Sequence, residues 1–252
     1  SGVYLESNFK SLLNFDKKIV GHKNLIKKFP FSEDISNFEA NLNNIFSITL
    51  DKTYKLKNYN FKSNGKISKF SLALKKPFSN DFLGEAINKI SIVDSDLKVS
   101  LNLDEKITLV DGKYSFNESD YQLFKLENNI NNNLINFKLN ADYNKHIYFE
   151  LINYEKPEGT TANLNFEFDK NKENINVKEI KFSEGKNIVL INNVKFKNKK
   201  FLSLKKIKIK TNKSDKINND FLVNYGKKIL ISGNIFDATN LPKILNRENK
   251  KN

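Results

Sequence analysis

Residues 162–168 read Ala-Asn-Leu-Asn-Phe-Glu-Phe, and this strict alternation of apolar and polar side chains leaves few folds open to the chain. In a strand, successive side chains point to opposite faces, so a period of two makes one face greasy and the other wet. The pattern recurs over most of the sequence. Phe46, Ile48 and Leu50 alternate, as do Phe70, Leu72 and Leu74, then Leu97, Val99, Leu101 and Leu103. Ile107 and Leu109, Tyr114 and Phe116, and Ile135, Phe137 and Leu139 continue it, and Ile147, Phe149 and Leu151 follow. Further on come Leu164, Phe166 and Phe168, then Ile180 and Phe182, Ile188 and Leu190, Ile207 and Ile209, Phe221 and Val223, and Ile229 and Ile231. The reading is a mainly β chain. It is a long antiparallel meander with one apolar face and few short helices.

Turn chemistry punctuates the ladder. Asn64-Gly65 and Asp111-Gly112 are hairpin signals, and the Asn128–Asn133 tract suits a long hairpin turn. Pro77 is the best candidate for a structural break. Three segments carry helical spacing. Leu5, Phe9, Leu12 and Leu13 predict a helix within 4–29, interrupted by Gly21 and Pro30. Phe82, Leu83, Ala86, Ile87 and Ile90 predict one over 80–90, with Ser79 or Asn80 as its cap. Leu241–Leu245 predicts the last. Residues 33–45 suit either period, and the strand is preferred. The division that follows is a helical or mixed lead-in over 1–45, a β-meander over 46–236 and a short C-terminal helix and tail over 237–252, with 46–252 one structural unit.

No catalytic constellation stands out. The chain has no Cys, which removes disulfides and thiolate chemistry. Its two histidines, His22 and His146, lie far apart and read as surface residues. Asp94 with Asp96, and Asp104 with Glu105, are explained by turns leading into strands. Gly84, Gly112 and Gly226 are isolated, so no phosphate loop is present. No catalytic residue, metal or cofactor is assigned, and the expectation is a protein that is not an enzyme. No run reaches the ~18 apolar residues of a spanning helix. The chain has no Met and starts Ser1-Gly2, which reads as a fragment or a processed product.

The formal charge of +14 invites a nucleic-acid partner. Two features oppose it. Arg247 is the sole Arg, and Arg is the residue that grips phosphate and base edges in a bidentate way. The charge is also uneven: residues 1–168 have a net charge of +1, and residues 169–252 a net charge of +13. In Lys195–Lys213 lysines alternate with Phe, Leu and Ile. Ile207 and Ile209 point one way there, and Lys206, Lys208 and Lys210 the other. Those three lysines are candidates for contact with anionic headgroups, set against a plain solvated face. Nucleic acid is not the expected partner, because no aromatic side chain is interleaved with the charge in the Lys206–Lys210 run for stacking.

The segment from Ile229 to Leu245 reads as strand, Gly233, the Phe236-Asp237 step, then a helical turn opening at Leu241. This resembles the end of a conserved block in AsmA-like proteins of the YhdP type, which share the bridge architecture of TamB. The preceding alternation, from about residue 92 to 231, is similar to that family's β-meander. The resemblance implies a periplasmic section of an envelope protein, anchored to the inner membrane through a segment outside this chain. It also implies that the meander is a curled sheet with an apolar concave groove, a hydrophobic β-groove along which phospholipid would run between inner and outer membrane, with other envelope proteins as further partners. The groove residues would be Leu97, Val99, Leu101, Leu103, Ile135, Phe137, Leu139, Leu164, Phe166, Phe168, Ile188, Leu190, Ile207, Ile209, Ile229 and Ile231. The physical argument leaves an alternative open. An apolar sheet face must be covered, and a second sheet would cover it as well as lipid does. A β-sandwich, adhesin-like interaction module with no lipid ligand is that alternative.

Overall fold

The structure, a computed structural model, describes residues 3–16, 35–80 and 83–248. The strands run β1 (Val3–Asp16), β2 (Ile35–Leu50), β3 (Leu56–Phe78), β4 (Ile87–Asn102), β5 (Glu105–Phe116), β6 (Gln122–Asn131), β7 (Leu134–Tyr143), β8 (Ile147–Phe149) and β9 (Tyr154–Lys156). They continue as β10 (Ala162–Asn171), β11 (Asn174–Glu184), β12 (Asn187–Lys197), β13 (Lys200–Ser203), β14 (Lys206–Lys213), β15 (Lys216–Tyr225) and β16 (Ile229–Ile235). Among the described residues one 3-10 turn, Glu150–Ile152, joins β8 to β9, and one helix, α1, spans Leu241–Glu248. The chain is one long antiparallel meander of 14 strands that does not close, ordered β1 to β7, then β10, β11, β12, β14, β15 and β16. Strand β13 pairs only with β12, and β8 with β9 forms a separate pair.

Contacts divide the chain into two compact units. The first holds Ser1–Phe78 and Ile87–Leu139, the second Ser79–Ala86 and Asn140–Asn252. Two-residue turns with left-handed backbone connect neighbouring strands, at Asn132-Asn133 and at Ser214-Asp215 among others. Asn and Asp tolerate that region because their short polar side chains bond locally. Only Asn132 and Asn133 of the Asn128–Asn133 tract turn; Asn128 to Asn131 belong to β6.

Several expectations are corrected. The described part of the helix predicted within 4–29 is strand β1, paired with β2 from Val3↔Leu50 to Asp16↔Asn37; residues 17–29 lie outside the described residues. Leu5 and Phe9 share a face through their partners Ile48 and Asn44, while Leu12, opposite Asn41, falls on the other. The cross-strand ladder overrides a weak helical spacing. Over 80–90 the capping signal is real but the helix is not. The Asn80 side chain accepts the Leu83 backbone N–H at 3.0 Å, Leu83 then bridges Ile147, and Ile87 and Ile90 enter β4. Phe82 lies outside the described residues. Leu151 leaves its alternating run for the 3-10 turn.

Neither Asn64-Gly65 nor Asp111-Gly112 is a turn. Both sit inside strands, β3 and β5. Their glycines serve close approach between backbones instead. A Cβ on Gly65 would stand 2.9 Å from the Leu42 Cα, and one on Gly112 would stand 2.5 Å from the Ser95 Cα. In a gently twisted pair, facing Cβ atoms stand about 4.5–5.5 Å apart. The backbones therefore crowd together at these two points, and glycine kinks of this kind bend a sheet.

Candidate functional site

Residues opposite one another in a ladder share a face, so the register sorts side chains directly. In the first unit one row runs Leu42, Gly65, Leu97, Val110 and Leu126 across β2 to β6. A second row runs Phe46, Phe61 and Leu101, and a third Phe38, Phe70, Ile92 and Tyr114. The other face carries rows such as Lys66, Asp96, Asp111 and Lys125. Leu97, Val99 and Leu101 thus stand together on the apolar face. Leu103 lies past the end of β4 and is exposed. Ile135, Phe137 and Leu139 share one face of β7 by alternation.

Every described strand of this unit belongs to the sheet, so among its described residues the unit supplies no second layer of its own over the apolar face. One buried cluster on it is Ala40, Leu42 and Ile67, with Phe38, Phe70 and Leu97 partly buried against it, and Tyr114 and Phe124 are buried further along, their rings edge to face at 5.8 Å. Phe38 and Phe70 meet edge to face at 6.1 Å. A concavity of about 910 Å³ lies over β3 to β6, where Leu97, Val99 and Val110 meet Lys62, Lys98 and Asp111. On the polar face Ser71, Ser91 and Ser115 form a fully buried row, with the first two hydroxyls 3.2 Å apart.

In the second unit two apolar rows each cross six strands. One is Leu164, Phe182, Val189, Ile209, Phe221 and Gly233; the other is Phe166, Ile180, Ile191, Ile207, Val223 and Ile231. Phe168 opposes Val177 one step along, and Ile229 opposes Tyr225 on the same face. Ile188 and Leu190 are a correction. Ile188 opposes Lys210, and Leu190 opposes both Lys181 and Lys208, so the pair shares the face of Lys206, Lys208 and Lys210. Residues 188–191 read Ile-Val-Leu-Ile and are apolar at both parities. Only the register selects Val189 and Ile191 for the apolar face.

One end of that face is capped. The 3-10 turn and β9 bring Ile152 and Tyr154 over it. Tyr154 is 2% exposed, stacks on Phe149 at 6.0 Å and meets Phe182 edge on at 5.7 Å. Its hydroxyl donates to Glu184 at 3.1 Å, and burial, then the Glu184 charge, push the phenol pKa well up. Lys156 beside it is fully buried and donates to the carbonyls of Lys145 and Pro157, both at 2.9 Å. Burial lowers its pKa from the ordinary lysine value.

The C-terminal motif locks this cap in place. Gly233 lets β16 approach β15; a Cβ there would stand 2.5 Å from the Phe221 Cα. Phe236 packs edge on against Phe221 at 5.3 Å. The Asp237 carboxylate accepts from the Thr239 hydroxyl and N–H, from Asn153 at 2.8 Å and from Asn218 at 3.2 Å. These donors, the Thr239 hydroxyl foremost, hold its pKa far below the usual carboxylate range. Asn219 is fully buried; it donates to the Ile152 carbonyl at 2.7 Å and accepts the Asp237 N–H at 2.9 Å. Leu241 opens α1, whose Arg247 pairs with Glu150 of the 3-10 turn. Asn240 just ahead of the helix donates to the Tyr148 hydroxyl at 2.8 Å. Between this cap and β15–β16 lies a hollow of about 460 Å³, lined by Leu151, Phe221, Val223, Ile231 and Phe236.

Sequence reasoning missed Asn153, Lys156, Asn219 and Asn240. A chain so rich in Asn and Lys gives these four positions no signal of their own. His146 bonds Glu155 at 3.0 Å, and His22 lies outside the described residues. Asp94 falls at a bulge and pairs with Lys113 at 3.4 Å.

The fold and site define an antiparallel protein built on one long sheet, with an apolar face that is capped at one end in its second unit by elements outside that sheet. No protein-family model, curated protein or solved structure matches the chain.

Proposed function

We propose that this chain is a periplasmic section of an AsmA-like, YhdP-type envelope protein, in which the apolar sheet faces hold phospholipid acyl chains in transit between inner and outer membrane. In this reading the protein is not an enzyme, and its partners are phospholipid, membrane surfaces and other envelope proteins. The observation that carries it is the pair of six-strand apolar rows, Leu164 to Gly233 and Phe166 to Ile231, together with the first unit's apolar face, over which that unit's described residues supply no second layer. Apolar area left in water costs about 25 cal/mol per Å². A face this broad therefore calls for an apolar occupant, and an acyl chain has the right chemistry.

The test is to purify the protein from a bacterial envelope and identify bound phospholipid by mass spectrometry. Phe166→Asp should abolish lipid retention while the melting temperature holds. Lipid-free protein from repeated preparations, or loss of folding in the Phe166→Asp variant, would overturn the reading in favour of an interaction module with a dry core.

A further inference from the structure

The apolar face of the second unit has two ends with opposite character. The connections Glu184 to Asn187 and Lys213 to Lys216 stand at the capped end, where Glu184 holds Tyr154, and Thr211 and Asn219 lie beneath Ile152. The other end carries the β10–β11 turn, the β12–β13 hairpin and the β15–β16 turn. Chain order and register place these three together. The Asn198 N–H donates to the Glu173 carbonyl at 3.1 Å, and the Tyr225 N–H donates to the Lys205 carbonyl at 2.9 Å.

This uncapped rim is strongly basic. From Lys195 to Lys206 the chain has six lysines and no acid, and the β15–β16 turn adds Lys227 and Lys228; the acids at this end are Glu173 in the β10–β11 turn and Asp169, level with Lys195 and paired with Lys178 at 2.9 Å. None of Lys197, Lys199, Lys200, Lys227 and Lys228 makes an ion pair with a described residue. Beyond Asn192, β12 stays paired with β11 as far as Lys197 but exchanges β14 for β13, which pairs with β12 alone among the described strands. Two apolar side chains stand out beside the lysines: Phe201 is 57% exposed and Leu202 58%.

We propose that this rim is a docking surface for an anionic lipid bilayer, with Lys197, Lys199, Lys200, Lys227 and Lys228 at the headgroups and Phe201 and Leu202 seated between them. Charge complementarity selects a polyanionic partner, and the exposed Phe-Leu pair selects lipid among polyanions, because a phosphate backbone offers aliphatic Leu nothing to bury against. The surface binds whether or not the apolar faces carry acyl chains. A rim that works in this way sets the open end of the apolar face against the membrane.

The full chain is mixed with vesicles of phosphatidylcholine alone, or of equimolar phosphatidylcholine and phosphatidylserine, and floated on a density gradient. It should float only with the anionic vesicles. The triple variant Lys197→Glu, Lys199→Glu, Lys200→Glu should weaken that binding roughly a hundredfold, as expected of several lysines acting near an anionic surface. Because the chain has no Trp, Phe201→Trp supplies a single fluorophore. Its emission should shift to the blue on anionic vesicles and stay unshifted with single-stranded RNA. Three results would overturn the proposal: no flotation of the parent chain, equal flotation of the triple variant, or emission that stays red on vesicles. Phospholipid retained by the purified triple variant reports on the acyl-chain reading separately, so failure of either idea leaves the other measurable.

Discussion

In the first unit the buried side chains of the apolar face are the cluster of Ala40, Leu42 and Ile67, with Tyr114 and Phe124 further along it. In the second, the corresponding face runs under Ile152 and Tyr154, and its buried set extends through Ala162, Val177, Phe182, Ile209 and Val223. Both units use the same pleat and the same alternation. What separates them is a segment outside the sheet, the β8–turn–β9 excursion, held down by Asp237, Asn219 and Asn240. An element laid on an apolar face needs its own polar groups satisfied before it can lie on a greasy surface.

The sharpest way to break the contrast is to remove the cap's anchor. Tyr154→Ala deletes a nearly fully buried ring and should cost about 3–5 kcal/mol. Hydrogen exchange should show β11, β14 and β15 losing protection while β2 to β5 keep theirs. Equal loss in both units would mean that they do not unfold separately. In the first unit the most sensitive point should be a glycine rather than a hydrophobe. Gly112→Ala places a Cβ against the Ser95 backbone and should cost about 3 kcal/mol, read as a fall in the urea midpoint, whereas a neutral result would mean that the strand pair opens freely there.

Asp237→Asn replaces a charged acceptor in the latch and should cost about 2 kcal/mol at neutral pH. Since the folded carboxylate has a depressed pKa, its contribution is present above the ordinary Asp value near 3.8. It fades as pH falls through the lower, folded value. The parent and the variant should therefore converge in strong acid, and a difference that persists there would mean that the charge is not the cause. The smallest effect should come from the open face. Leu101→Asp, on a half-buried position of the first unit, should cost under about 1 kcal/mol, because solvent reaches the new carboxylate. A loss of several kcal/mol would mean that the face is covered.

Much of the fold could be read from the sequence. Where apolar residues occupy one parity, as at Leu97, Val99 and Leu101 or at Leu164, Phe166 and Phe168, the face follows directly from the pleat. Where both parities are apolar, as at residues 188–191, alternation is silent and the partner strand decides. Glycines misled for a related reason. Asn64-Gly65 and Asp111-Gly112 have the composition of hairpin turns, yet each lies within a strand because a neighbouring backbone comes too close for a Cβ. The candidate site was legible as a set of apolar positions and a C-terminal motif. The role of that motif as a latch was not, because Gly233, Phe236 and Asp237 act on partners up to 84 residues away in the chain.

The sequence by itself determined that this protein is an antiparallel β-meander with one apolar face per strand and a charge concentrated in its last third. Those properties are local: they follow from side-chain parity and composition, whichever strand lies alongside. Only the tertiary structure decided that Ile188 and Leu190 stand among lysines, that one end of the second unit's apolar face is sealed by a buried tyrosine and an asparagine network, and that the opposite rim carries a cationic hairpin with Phe201 and Leu202 exposed. These depend on register and on contacts between distant segments, which no local period encodes.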